Sequence, residues 1–235
     1  MTVRLGRWQD VLADVEQCDA VICDPPYGAR THNADGARAD GARADGVRAD
    51  GLRPGYDGFI AADCDEVVDA WAQRCKGWMV FLTSHDLIIA WQDAMERNGM
   101  CSFAPLPCVM RGMSVRLAGD GPSSWACYAV VGRPRTKAMQ AWGTLPGAYT
   151  GAPSREAGGG RGKPAWLMRA IVSDYSRPGD LVVDPFAGWG STLEAAIGLD
   201  RRALGAEMDP EAHAECTRRL RRGQQRDLFT GAVAS

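Results

Sequence analysis

Leu181-Val182-Val183 runs directly into Asp184-Pro185-Phe186-Ala187-Gly188-Trp189-Gly190-Ser191-Thr192. A short apolar run of this kind reads as a buried strand, and two closely spaced glycines after it let the backbone turn tightly and approach a ligand. Ser191–Ile197 then has the character of a helix, and Ala203–Ala206 reads as the next strand, ending on Glu207. Asp209 is placed to cap a last helix, with Pro210 in its first turn, running to about Arg222. Strand, glycine turn, helix, strand and terminal acid is the doubly wound α/β pattern, which gathers ligands at the C-terminal ends of its strands. The loop lacks the third glycine of a dinucleotide fingerprint. Asp184, directly before the turn, suits an amino-bearing ligand better than a pyrophosphate, and Glu207 is spaced to accept from ribose hydroxyls.

A second apolar run, Ala20-Val21-Ile22-Cys23, leads into Asp24-Pro25-Pro26-Tyr27. Two prolines cannot continue a ladder, so the chain leaves the sheet there. The Asp24 carboxylate and the Pro25 carbonyl offer two acceptors to a planar amino group, and Tyr27 offers a flat face to the ring that bears it. An exocyclic amino group is a poor nucleophile because its lone pair is delocalised. Acceptors that draw its N–H bonds out of the ring plane relieve that. This is catalysis by orientation and electrostatics, without a covalent protein intermediate.

Between these segments the chain reads as alternating elements. Helices are expected over Trp8–Val15, Glu66–Lys76 and His85–Asn98, the last with Ser84 as N-cap and Gly99 as its stop, and another from Pro164 to about Tyr175. Strands are expected at Val3–Leu5, Trp78–Leu82, Phe103–Met110 and Trp125–Val131, the last two forming an antiparallel pair. Residues 34–53 are four tandem pentads of the form Ala-Asp-Gly-x-Arg. A period of five fits neither helix nor strand, so this is read as a solvated insertion, or else an arm that sets Arg38, Arg43, Arg48 and Arg53 against phosphates. Residues 133–162 are rich in Gly, Pro and Arg and read as a loop region or a very small subdomain.

The net charge of −2 disfavours a protein that coats nucleic acid, but not one that needs only a local basic surface. The eight cysteines form no Cys-x-x-Cys pair and the three histidines are scattered, so no metal site is expected, and the cysteines read as small buried hydrophobes. Pro107-Cys108 lies in a strand-like run and is read as packing. With neither a signal-peptide pattern nor a membrane-length apolar stretch, a cytoplasmic location is expected.

With both segments in view, the chain resembles the DNA amino-methyltransferases, specific for adenine N6 or cytosine N4. Asp184 to Thr192 is similar to their S-adenosylmethionine motif and Asp24 to Tyr27 to their catalytic motif. Because the catalytic segment comes first, the resemblance is to the circularly permuted beta class. It covers most of the chain apart from residues 30–60 and 133–162. It implies a doubly wound, mostly parallel, seven-stranded Rossmann-like sheet with an antiparallel pair at one end. It also implies cofactor contacts from Asp184, Pro185, Phe186, Gly188, Gly190, Ser191, Thr192 and Glu207, and from Lys163-Pro164 beside the methionine moiety. Asp24, Pro25, Pro26 and Tyr27 would carry catalysis. The catalytic half would span 1–132, with an insertion at about 30–58, and the cofactor half 163–235. A short target-recognition region at 133–162 would place Arg133, Arg135, Lys137, Trp142, Tyr149, Arg155 and Arg161 on double-stranded DNA. Trp189 replaces a small polar residue of the family pattern, Ser191 replaces Thr, and Gly6-Arg7 replaces a Gly-Asp pair. The aspartate form of the catalytic motif favours adenine. Cytosine N4, RNA guanine N2 and a degenerate DNA-binding module stay open as alternatives. A possible homodimer and a bacterial or phage-infected host cell are further expectations.

Overall fold

The computed structural model describes residues 2–28, 58–112, 125–135, 142–153 and 162–230, and the side chains of 223–230 are outside that description. The pentads, Lys137, Arg155 and Arg161 therefore lie outside the described residues.

In chain order the elements are β1 (Val3–Leu5), α1 (Trp8–Val11), β2 (Cys18–Cys23), α2 (Ala61–Trp71), β3 (Cys75–Thr83), α3 (Ile88–Arg97), β4 (Met100–Ser102), β5 (Leu106–Met110), β6 (Ala126–Pro134), β7 (Tyr149–Gly151), α4 (Ala165–Tyr175), β8 (Leu181–Asp184), α5 (Ser191–Ile197), β9 (Arg202–Glu207) and α6 (Pro210–Thr230). The strands form one sheet in the order β1-β9-β8-β2-β3-β6-β5-β7, with β4 also paired to β6. All of these strands run the same way except β6, which is antiparallel to β3, β4 and β5.

The alternation expected of strands buried on both sides sorts the core into two layers. Val21, Cys23, Met79 and Phe81 face Leu12, Trp71, Trp91 and Met95. Ala20, Ile22, Val80 and Leu82 face Leu167, Met168, Ile171 and Ala196. A third cluster, Val3, Leu193, Cys216 and Leu220, seats α6 against α5 and β1. All eight cysteines are free thiols, seven of them buried.

Among the described residues the sheet has nine strands where seven were expected. The extra ones, β4 (Met-Cys-Ser) and β7 (Tyr-Thr-Gly), lack the apolar-polar-apolar alternation that marks the equally short Val-Arg-Leu of β1. The expected run Phe103–Met110 is broken because Pro105 has no N–H for a ladder, so β4 pairs with one half of β6 and β5 with the other. α1 stops at Val11, although Leu12 and Val15 are buried as their spacing implied. α2 begins five residues earlier than expected, because the Asp63 carboxylate accepts from the Ile60 N–H (2.8 Å) and caps it there. Ser84 does not cap α3, which starts only at Ile88. Its hydroxyl accepts from the Gly28 N–H instead (3.1 Å).

Candidate active site

The parallel strands place Leu5, Asp24, Thr83, Asp184 and Glu207 at one edge of the sheet. Asp24 follows β2 and Asp184 ends β8, its hydrogen-bonded neighbour. The two sequence segments are therefore adjacent in space although about 160 residues separate them.

At the glycine loop, Asp184 is buried, 1 % exposed. Its carboxylate accepts from the Phe186 N–H (3.0 Å) and from the Thr192 hydroxyl. Burial pushes its pKa up to about 7, partly opposed by these hydrogen bonds. In this state Asp184 holds the loop rather than facing outward for a ligand. Gly188 (φ 51°) and Gly190 (φ 83°) take the left-handed conformation that glycine adopts cheaply. A β-carbon on Gly190 would also stand 2.6 Å from the Cys216 sulfur, so this glycine brings the loop against α6. Glu207 accepts from the N–H of Gly188 (2.8 Å) and of Asp209 (2.7 Å), which fixes the acid beside the loop. The Asp209 carboxylate accepts from the Glu211 N–H (2.8 Å), the expected cap.

The apolar wall beside this loop is aromatic. Phe186 meets Phe59 edge to face at 5.5 Å and Trp8 at 6.5 Å between ring centroids. Leu5 and Met208, about half exposed, flank Glu207. Trp8 and Phe59 had not stood out as site residues. Trp8 was readable only as one face of a helix, and Phe59 follows the pentads without any motif of its own.

On the catalytic side, the Lys163 ammonium donates to both Asp24 oxygens, at 2.6 Å each, and lies 4.6 Å from the centre of the Tyr27 ring. Gly162 passes beside Ser191 and Arg219, which carries Lys163 from the glycine loop to the catalytic motif. Pro164 is the N-cap of α4. The sequence had placed Lys163 with the cofactor segment; in the structure its partner is Asp24. Burial, with Asp24 as a charged neighbour, pushes the Tyr27 phenol well above its usual range and keeps it neutral. The Tyr27 carbonyl accepts from the Phe59 N–H (3.1 Å), and Gly28 and Phe59 form a parallel bridge. Asp86 was also missed. Its carboxylate occupies the space a Gly28 β-carbon would take, 2.3 Å from that position, and its Oδ1 is buried with no hydrogen-bond partner among the described residues.

The structure does not bring the described basic residues of 133–162 to this edge. Because β6 is reversed, Tyr128 lies opposite Thr83 near the site while Arg133 pairs with Cys101 at the far end. Five strand residues separate those levels, about 17 Å. The Arg133 guanidinium lies over the rings of Trp78 (5.8 Å) and Phe103 (5.6 Å) and donates to the Pro134 carbonyl (3.2 Å). Arg135 is exposed just beyond it. Trp142 is sandwiched between Trp78 (5.9 Å) and the Arg177 guanidinium (3.7 Å). Tyr149 is buried and donates to Asp174 (2.7 Å). These aromatics extend the core.

Residues 154–218 match a family model described as DNA methylase, N6_N4_Mtase. Two Escherichia coli (strain K12) proteins match over shorter stretches. The putative methylase YubD is 38% identical over 71 residues, 30% of this chain and 31% of that protein, and the DNA adenine methyltransferase YhdJ is 41% identical over 58 residues, 25% and 20%. The type II methyltransferase M.EcaI of Enterobacter cloacae is 54% identical over 41 residues, 17% of this chain and 9% of its own length. The chain thus aligns with less than a third of the length of each of these relatives. In fold the likeness spans nearly the whole chain. The crystal structure of the M1.HpyAVI-SAM complex covers 93% of this chain and 98% of its own at a TM-score of 0.67 and 20% identity. The cytosine-N4-specific PvuII DNA methyltransferase covers 92% and 85% at a TM-score of 0.63 and 16% identity. Residues 154–218 thus belong to the N6/N4 DNA methylase family, and they sit in a chain whose mixed, mostly parallel sheet has the permuted fold of those enzymes.

Proposed function

We propose that this chain transfers a methyl group from S-adenosylmethionine to the N6 amino group of an adenine swung out of double-stranded DNA. The carrying observation is the meeting of Asp24-Pro25-Pro26-Tyr27 and the Asp184–Thr192 loop at neighbouring strand ends, joined by Lys163.

The donor set fits the cofactor. The backbone of Gly188, where an added β-carbon would meet nothing nearer than the Phe186 carbonyl oxygen at 3.9 Å, the apolar group of Phe186, Trp8, Leu5 and Met208, and the fixed Glu207 carboxylate offer a slot for an adenine and its ribose hydroxyls. When bound there, S-adenosylmethionine supplies an electrophilic methyl group. The protein's own part is to hold and orient. Glu207 would accept from the ribose hydroxyls, with Pro185, Gly190, Ser191, Thr192 and Pro164 shaping the surroundings. Tyr27, kept neutral by its burial, offers its ring to the extrahelical base. Asp24 and the Pro25 carbonyl accept from the two amino hydrogens and so direct the nitrogen lone pair out of the ring plane. The lone pair would thereby be aimed in line at that methyl group, whose sulfur would keep the bonding pair and leave as S-adenosylhomocysteine, and the nitrogen's excess proton would depart afterwards, so Asp24 need not be a strong base.

YhdJ is named as an adenine enzyme, and the aspartate form of the catalytic motif supports the same target here. Incubating the protein with isotopically labelled S-adenosylmethionine and unmodified duplexes of varied sequence, then analysing nucleosides by mass, should give N6-methyladenine. N4-methylcytosine would replace adenine by cytosine as the target. Methylated RNA without methylated DNA would overturn the assignment.

A further inference from the structure

The Lys163 ammonium makes two contacts at once. It donates to both oxygens of Asp24 at 2.6 Å and sits over the ring of Tyr27 at 4.6 Å. These are the groups a target base needs, since its amino hydrogens call for the Asp24 carboxylate and its ring calls for the Tyr27 face. The protein's own lysine therefore stands in for the substrate amino group. A base cannot take up these positions while Lys163 holds them.

The pair is only partly open to water, with the Lys163 side chain 15% and the Asp24 side chain 29% exposed. Pulling it apart with nothing in exchange strands two half-desolvated charges, which is costly. Exchanging one carboxylate for another keeps the ammonium paired. The surroundings favour such an exchange. Lys163 is anchored by the Pro164 cap of α4, while its backbone neighbour Gly162 passes beside Ser191 on the glycine loop. Its long stem can swing without moving the helix. The protein carboxylates at the loop are already engaged, Asp184 with Phe186 and Thr192 and Glu207 with Gly188 and Asp209.

We infer that Lys163 closes the base pocket in the cofactor-free protein and is drawn off Asp24 by the carboxylate of the cofactor's amino-acid moiety. Cofactor binding then frees Asp24 and the Tyr27 face for the base, and the cofactor binds before the base enters. The inference rests on the S-adenosylmethionine reading above, and it assigns Lys163 as a positioning residue that regulates access.

The chain has three lysines, Lys76, Lys137 and Lys163, so lysine labelled with ¹³C at Cε gives a spectrum simple enough to follow, with Lys163→Arg identifying its signal. In the free protein Asp24→Asn should move the Lys163 signal. S-adenosylhomocysteine should move it too, and with that ligand bound Asp24→Asn should no longer matter. Methylthioadenosine, which keeps the nucleoside but lacks the amino-acid carboxylate, should bind and leave the signal in place. If Asp24→Asn perturbs Lys163 equally with and without S-adenosylhomocysteine, the lysine stays on Asp24 and the inference fails, while calorimetric binding of the ligand leaves the cofactor reading standing. The inference fails in the same way if both ligands move the signal alike. If neither ligand binds by calorimetry, the cofactor reading itself falls and takes the inference with it.

Discussion

At the scale of single residues, Asp24 and Asp184 are both carboxylates at strand ends, yet they do different work. Asp24 is half-open and paired with Lys163, and Asp184 is sealed within its loop. Asp24→Ala should abolish methyl transfer while leaving calorimetric affinity for S-adenosylhomocysteine within a few-fold of the parent. Equal loss of both would assign Asp24 chiefly to the cofactor. Asp184 makes a different prediction. A carboxyl whose folded pKa is raised to about 7 holds its proton more tightly in the folded chain than in the unfolded one. Its contribution therefore favours folding at low pH and is lost as pH rises from about 4 to about 7. At about 1.4 kcal/mol per unit the loss is on the order of 4 kcal/mol. Denaturant titrations at pH 5 and pH 8 should show the parent losing clearly more stability than Asp184→Asn. Matching losses would mean that the buried carboxyl does not titrate in this way. The sequence marked both acids as candidate site residues through the segments that follow them. It carried no sign that Lys163 pairs with Asp24 or that Asp86 abuts Gly28, because those contacts join positions with no shared motif.

Among the elements, α5 occupies the expected Ser191–Ile197, since a glycine turn and an apolar helix face mark both its ends. β4 and β7 escaped because Met-Cys-Ser and Tyr-Thr-Gly do not alternate as the Val-Arg-Leu of β1 does, and they are held by pairing to β6 and β5 instead. The start of α3 was misplaced because a serine before an apolar stretch is as able to bond a distant N–H as to cap the helix, and Gly28 supplied that N–H. The glycine loop is the most constrained junction between elements. Gly190→Ala would force a left-handed φ on a residue with a side chain and drive its β-carbon toward Cys216 on α6. The combined cost should be about 3 kcal/mol, read as a lower denaturant midpoint with an unchanged slope. A midpoint equal to that of the parent would show that α6 can shift to accommodate the methyl group.

For the molecule as a whole, the reversed strand β6 decides at which end of the sheet Arg133 and Arg135 lie. Read linearly, Arg133 and Arg135 belong to the segment between the two halves of the site. Folded, Arg133 lies at the far end of the sheet, where its guanidinium serves the packing of Trp78 and Phe103. Arg133→Ala should lower stability by about 1 kcal/mol and leave DNA affinity and its salt dependence unchanged. Arg111, exposed at the end of β5 nearest the site, makes the contrasting variant. Arg111→Ala should reduce the slope of log affinity against log salt by about one. The opposite pattern in a binding titration across salt concentrations would return the DNA surface to 133–135. Strand direction is a property of the assembled sheet, which is why the order of segments could indicate the fold without indicating at which end of the sheet Arg133 lies.

The bond from the Phe59 N–H to the Tyr27 carbonyl also bears on how the repeat can evolve. It brings the chain back to the place it left, so the two ends of 29–57 are stapled beside the catalytic motif whatever length of chain lies between them. By the logarithmic dependence of closure entropy on length, one more or one fewer pentad changes stability by only about 0.1 kcal/mol. A change in the number of pentads would therefore be nearly invisible to selection for folding. Deleting Ala39–Arg43 should leave the thermal midpoint within about 1 °C of the parent. A sequence bearing three or six pentads would keep the same bond between Phe59 and Tyr27.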